Sequence, residues 1–357
     1  MIAVRSSGAI RTSPPGEKGP FSPASLYEGV TGNIMKHNTY ERDWIQQPTQ
    51  EDIEKVFWEA YENGQIAAAE GRCADYIPEL AKADPKAFGI YALDDQGRSV
   101  SYGDVDTRFS IQSISKVINL AVSLKFRGFR DTFSHVMMEP SGDAFNSILK
   151  LDTRSNLPFN PMINAGAIQT VSLLAEEFSF EDLMGFAREL CMDPDICLDE
   201  AVYHSERDTG DRNRAIAYLL KSKGVLQADP DRTIDLYFRM CSLSVTAKSL
   251  AGLGIILANG GINPFTKKHW LAPGYVRTIK SIMFTCGMYD FSGEFGVKVG
   301  IPAKSGVGGG LVCAVKGPFG IGLYGPALDT FGNSVAAVTA MEHISHRLGL
   351  HVFEYTW

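Results

Sequence analysis

Apolar positions fall in blocks along the chain, and the period of each block predicts an element. Ile53, Val56, Phe57, Ala60 and Tyr61 recur at helical spacing. Thr49 follows Pro48 just before them, and Asp52 stands at the third helical position, so a capping box opens this helix. Asn63-Gly64 is expected to end it. Residues 88–93 and 98–102 flank Asp94-Asp95-Gln96-Gly97 and predict a hairpin. From 117 to 124 almost every position is apolar, which describes a buried helix, opening near Ser113. Helical spacing returns over 180–190, 214–221, 235–240 and 246–257, so residues 129–257 read mostly as helices and functional loops. Residues 295–303, 311–315 and 319–324 read as short strands broken by glycines, before a final helix at 333–348. Strands early and late, with helices between, predict an α+β fold. One antiparallel sheet is built from both ends of the chain, with a helical lobe inserted.

Residues 1–47 differ. The first twenty are rich in Gly, Ser, Pro and Arg and lack periodicity. They contain no apolar core of a secretory signal. Arg5 and Arg11, ahead of the first acid at Glu17, faintly resemble a transit peptide, but a flexible extension is the stronger reading. Residues 48–357 form the expected catalytic domain. At 357 residues the chain can bury a sizeable core. A net charge of −7 argues against nucleic acid or an anionic membrane as partner. No run is long enough to span a bilayer. The six cysteines form no C-x-x-C pair and read as free thiols of a reducing compartment, the cytoplasm. His343 and His346 are spaced H-x-x-H but have no third ligand nearby, so they read as an ordinary exposed pair and no metal site is expected.

The chemistry starts at Ser113-Ile114-Ser115-Lys116, where a buried helix begins. Residues i and i+3 share a helix face, so the Lys116 amine can reach the Ser113 hydroxyl. A serine needs an adjacent base to act as a nucleophile, and no histidine lies near. S-x-x-K is the nucleophile signature of serine β-lactamases and penicillin-binding proteins, and Lys304-Ser305-Gly306 repeats their later K-[ST]-G motif in the same order. Their intervening S-D-N motif has no clear counterpart, which weakens a role in β-lactam or cell-wall chemistry. Gly306 to Gly310 lacks the Walker spacing of a nucleotide loop.

Longer segments carry a more specific likeness. They are ADYIPEL at 74–80, EPSG at 139–142, QSISK at 112–116, NPMINAGAI at 160–168 and SER at 205–207 with GDRN at 210–213. DLYF at 235–238 with Cys241-Ser242, CGMYD at 286–290 and KSGVGGG at 304–310 complete the set. Over about residues 50–340 the chain resembles the serine-dependent glutaminases, in their short bacterial form. The resemblance implies a β-lactamase- or transpeptidase-like fold, hydrolysis of L-glutamine to L-glutamate and ammonia, no cofactor, and a homodimer or homotetramer.

It also implies site residues, each with a chemical reason. Ser113 would attack the side-chain amide and form a γ-glutamyl ester. Lys116 would take its proton, which requires burial to lower a pKa that is ordinarily ~10.4. Backbone N–H groups of Ser113 and Val307 would hold the oxyanion. Glu206 would pair with the substrate ammonium. Asn164, Asn213 and Tyr237 would bind the carboxylate, and Tyr76 and Tyr289 would stand in the site. Tyr289 would protonate the leaving ammonia or relay the serine proton. Several have a plainer reading: Ser113 as a helix cap, Lys116 as an ion pair, Glu206 as a solvated surface acid, the asparagines as turn formers, Tyr237 as a core aromatic. For the whole protein the alternatives are another serine amidase or β-lactamase-like hydrolase, and a catalytically silent amino-acid binding protein.

Overall fold

The structure is a computed structural model that describes residues 48–141, 157–317 and 319–354. The expectations for residues 1–47, and for Gly142 of the EPSG segment, lie outside the described residues. The first helix, Gln50–Ala67, opens as expected, with Thr49 and Asp52 exchanging both bonds of a capping box. It does not stop at Asn63-Gly64. Gly64 is an interior position chosen for contact: a Cβ there would lie 2.4 Å from the Phe88 ring.

Strands β1 (Gly89–Asp94) and β2 (Ser99–Gly103) form the expected hairpin. Two short strands, β3 (Phe109–Ser110) and β4 (Cys197–Leu198), flank β5 (Leu243–Val245) in a small second sheet. Strands β6 (Ala303–Ser305), β7 (Gly310–Val315) and β8 (Phe319–Tyr324) come late and join the first hairpin. The main sheet has the order β2-β1-β8-β7-β6, antiparallel throughout, and β1 meets β8 with Ile90 opposite Leu323. Both chain ends therefore build one sheet, as the order of elements predicts.

The sheet separates two cores. Leu311, Cys313 and Val315 face a core shared with Val56, Phe57, Ala337 and Met341 of the first and last helices. The alternate residues Val312 and Ala314 face the helical lobe. Helix Ala247–Ala258 packs so tightly on β8 that a Cβ at Gly322 would lie 2.0 Å from the Ala247 carbonyl.

Two further expectations fail. Residues 295–303 are not a strand: helix Ser292–Lys298 occupies the first four of them, and only Ala303 is in β6. Phe295 and Val299, four apart, both enter the core, which is helical spacing hidden in a short apolar run. His343 is not an ordinary exposed histidine either; its ring is half-buried and meets Glu59 at 3.1 Å. Among the described residues no cluster of His, Cys, Asp and Glu could hold a metal ion, and no helix is long and apolar enough to cross a membrane.

Candidate active site

Ser113 sits where the small sheet hands the chain to the lobe. After β3, Ile111 N–H donates to the Leu243 carbonyl at 2.8 Å, and a 3₁₀ turn, Gln112–Ile114, leads into helix Ser115–Phe126. The helix proper thus starts two residues later than expected. Gln112 adopts φ 49°, a left-handed conformation that costs a non-glycine residue about 1–3 kcal/mol and is typical of functional turns. The next residue is Ser113.

The turn and helix bury Ser113 and Lys116 together. Lys116 Nζ donates to the Met162 carbonyl at 3.2 Å and to Asn164 Oδ1 at 2.7 Å. Asn164 passes the contact on, donating from Nδ2 to Asn213 Oδ1 at 3.0 Å. The burial of Lys116 lowers its pKa to about 8, against the opposing pull of Cys241 and Glu206. The structural ion-pair reading fails, because its hydrogen-bond partners are neutral.

Glu206 is only 6% exposed, so it is not the solvated surface acid of the plainer reading. Burial lifts its pKa from 4.5 to about 7, while a hydrogen bond from Gln112 and the charge of Lys116 pull the other way. Tyr237 is buried on helix Pro230–Cys241, and burial pushes its phenol pKa up. Tyr76 is half-exposed at the rim.

A cavity of about 120 Å³ joins these groups. Tyr76, Ser113, Asn164, Glu206, Asn213, Tyr237 and Val307 all line it. It is well below the ~300–1,000 Å³ of pockets for drug-sized ligands, and suits a small polar molecule. Lys116 is not in the lining; it reaches the cavity through its bond to Asn164. Tyr289 lines an adjoining cavity of about 220 Å³, yet its hydroxyl interacts with the Ser113 side chain and the Val307 N–H, and donates to the Ser305 carbonyl at 3.2 Å. Tyr289 also has a left-handed backbone, at φ 55°. The loop carrying Val307 can approach this closely because a Cβ at Gly308 would lie 2.4 Å from the Ser110 carbonyl, and Gly309 takes φ 95°. The fold thus gathers a buried serine and a buried carboxylate around one small space, with a lysine of depressed pKa bonded to the lining Asn164. This arrangement can perform acyl transfer.

A sequence profile of the glutaminase family matches residues 71–353. The chain belongs to the glutaminase family. Glutaminase 2 of Clostridium perfringens is 49% identical over 296 residues, which are 82% of this chain and 97% of that protein. Among solved structures, the probable glutaminase ybaS superposes with a TM-score of 0.82 at 35% identity, covering 86% of this chain and all of that one. A Bacillus subtilis glutaminase, YbgJ, matches with a TM-score of 0.77 at 34% identity, over 84% of this chain and 99% of that one. That structure is a covalent complex with 5-oxo-L-norleucine, formed by reaction with 6-diazo-5-oxo-L-norleucine. The fold is accordingly the serine β-lactamase-like fold of the glutaminases.

Six cavity residues, Ile77, Gln112, Thr209, Gly210, Arg212 and Cys241, carry no role in the sequence reading, and Gln112 and Cys241 touch the residues that do. Gln112 lines the cavity and bonds to Glu206. Cys241 lies on the same helix face as Tyr237, four residues on, with Sγ 3.8 Å from Ser115 Oγ. Both stand in segments that match the family, and the i,i+4 spacing from Tyr237 is the signal that points to Cys241.

Proposed function

We propose that the protein hydrolyses L-glutamine to L-glutamate and ammonia through a Ser-Lys covalent mechanism. The observation that carries this reading is a buried Ser113 on the wall of a small cavity that also holds a buried carboxylate, with the Lys116 amine bonded to Asn164 of the same wall. A glutaminase needs a nucleophile at one end of its substrate and a countercharge for the ammonium at the other.

In this reading neutral Lys116 accepts the proton as Ser113 Oγ attacks the amide carbon. Its depressed pKa puts a usable fraction in the neutral form near pH 7–8. The N–H groups of Ser113 and Val307 stabilise the oxyanion. The C–N bond breaks, the departing nitrogen takes up the proton held by Lys116, and a γ-glutamyl ester remains on Ser113. Water then attacks the ester, Lys116 again accepts a proton, and glutamate leaves as Ser113 is reprotonated. Glu206 binds the α-ammonium, Asn164, Asn213 and Tyr237 the carboxylate, and Tyr76 stands at the substrate site. Tyr289, whose hydroxyl contacts the serine hydroxyl, assists the proton transfer, either by handing the proton to the departing nitrogen or by helping it from Ser113 to Lys116.

Residues 48–357 are the catalytic domain in this proposal, a reading supported by the family match over 71–353. We further propose a homodimer or homotetramer working in the cytoplasm. The family supports the first, and six unpaired thiols the second. The test is ammonia release by the purified full chain, with asparagine and a penicillin as controls. Turnover of glutamine alone is the expected result; hydrolysis of the penicillin, or of no substrate, would overturn the reading.

A further inference from the structure

Lys304 is the second fully buried lysine near Ser113, and the mechanism above gives it no task. It sits on β6 with Nζ 2.6 Å from the Ser305 carbonyl, to which it donates. The same nitrogen lies 4.4 Å from the centroid of the Tyr289 ring. The Tyr289 phenol donates to that same carbonyl at 3.2 Å. One backbone oxygen therefore gathers both the amine and the phenol, and the amine also covers one face of the phenol's ring.

The contacts of Lys304 are a carbonyl and an aromatic face, not a carboxylate. An amine buried in this way costs stability that a methionine of similar length would not. Burial, and then the nearby Lys116 amine, hold its pKa well below the usual lysine value. Costs of this kind mark functional positions. Tyr289 needs outside support: its left-handed backbone persists only where surrounding contacts hold it.

We propose that Lys304 is a positioning residue for the hydrolysis: seated on the Tyr289 ring and sharing the Ser305 carbonyl with the phenol, its amine keeps the Tyr289 hydroxyl against Ser113. The proposal rests on the assignment of Tyr289 to the reaction. Without the amine, one ring face loses its partner and only the contacts of the hydroxyl hold the ring in place. A misplacement of ~1 Å at a reacting group costs roughly 100-fold in rate.

The experiment is a double-mutant cycle of Lys304→Met and Tyr289→Phe in the full chain, read as kcat and KM for glutamine. Lys304→Met is expected to lose roughly 100-fold in kcat with KM nearly unchanged, and to unfold at or above the wild-type temperature. In the Tyr289→Phe background it should cause almost no further loss. Lys304→Gln, which can still donate to the Ser305 carbonyl, should recover part of kcat. An equal loss in both backgrounds overturns the proposal, as does a wild-type kcat for Lys304→Met. Failure of both Lys304 variants to fold also overturns it, by marking the lysine as structural. A Tyr289→Phe enzyme with wild-type kcat would instead overturn the assignment of Tyr289 itself.

Discussion

Glu206→Gln should make the enzyme both more stable and less active, and the two effects separate with pH. Burial lifts the Glu206 carboxyl from 4.5 to about 7. A shift of that size costs the ionised native state about 3 kcal/mol relative to the unfolded chain. The sign follows from proton counts. Between pH 4.5 and 7 the native protein binds more protons at this site than the unfolded chain does, so stability falls as pH rises through that window. Above pH 7 the loss is complete. Glutamine does not titrate, so the variant escapes this slope. Its advantage over wild type should therefore grow from pH 4.5 to 7 by up to about 3 kcal/mol, less what the Lys116 amine loses when its neighbouring charge goes. At about 2 °C per kcal/mol for a domain of this size or somewhat smaller, the melting temperatures should diverge by roughly 5 °C. Activity should move the other way. Loss of a charge-assisted bond to the substrate ammonium is worth roughly 1.5–3 kcal/mol, about ten- to a hundredfold in kcat/KM, mostly as a higher KM. The assays are thermal unfolding at pH 5 and 7.5 and steady-state ammonia release. A constant melting difference across that range would refute the burial argument, and unchanged kcat/KM would refute the ammonium pairing.

Ser113→Ala should abolish turnover with the fold intact, and 6-diazo-5-oxo-L-norleucine should add mass to the wild-type peptide containing Ser113; normal ammonia release by the variant would end the serine mechanism. The efficiency kcat/KM should rise with pH, because Lys116 must be neutral above about 8 and Glu206 ionised above about 7; a profile flat from pH 6 to 8.5 would contradict both roles. Asparagine should be a poor substrate: one methylene shorter, it cannot place its α-groups at Glu206 and Tyr237 while its amide reaches Ser113, and it loses alignment and oxyanion contacts together. Comparable kcat/KM on both amides would count against that clamp.

Much of the architecture was legible in local pattern. The capping box at Thr49 and Asp52, helix Phe180–Leu190 and strand β8 all stand where spacing puts them. The failures occur where a residue answers to a distant neighbour. Gly64 looks like a helix stop, but it is a glycine because of the Phe88 ring. Residues 295–303 alternate in a way that suits a strand, but Phe295 and Val299 pack on one core from a helix. Gln112 was visible as the neighbour of Ser113, though nothing local reveals its left-handed backbone.

The site divides in the same way. The amino-acid sequence by itself determined the family and singled out Ser113, Lys116 and the glycine-rich loop as candidates, because these are matters of residue type and spacing. Only the tertiary structure decided that Glu206 is buried, that Lys116 bonds to Asn164 and the Met162 carbonyl, and that Lys304 reaches the Tyr289 ring. Those features set the environment of the serine, the two lysines and the acid. They depend on desolvation, and desolvation is set by elements far apart in the chain that meet only when both ends close into one sheet around the lobe.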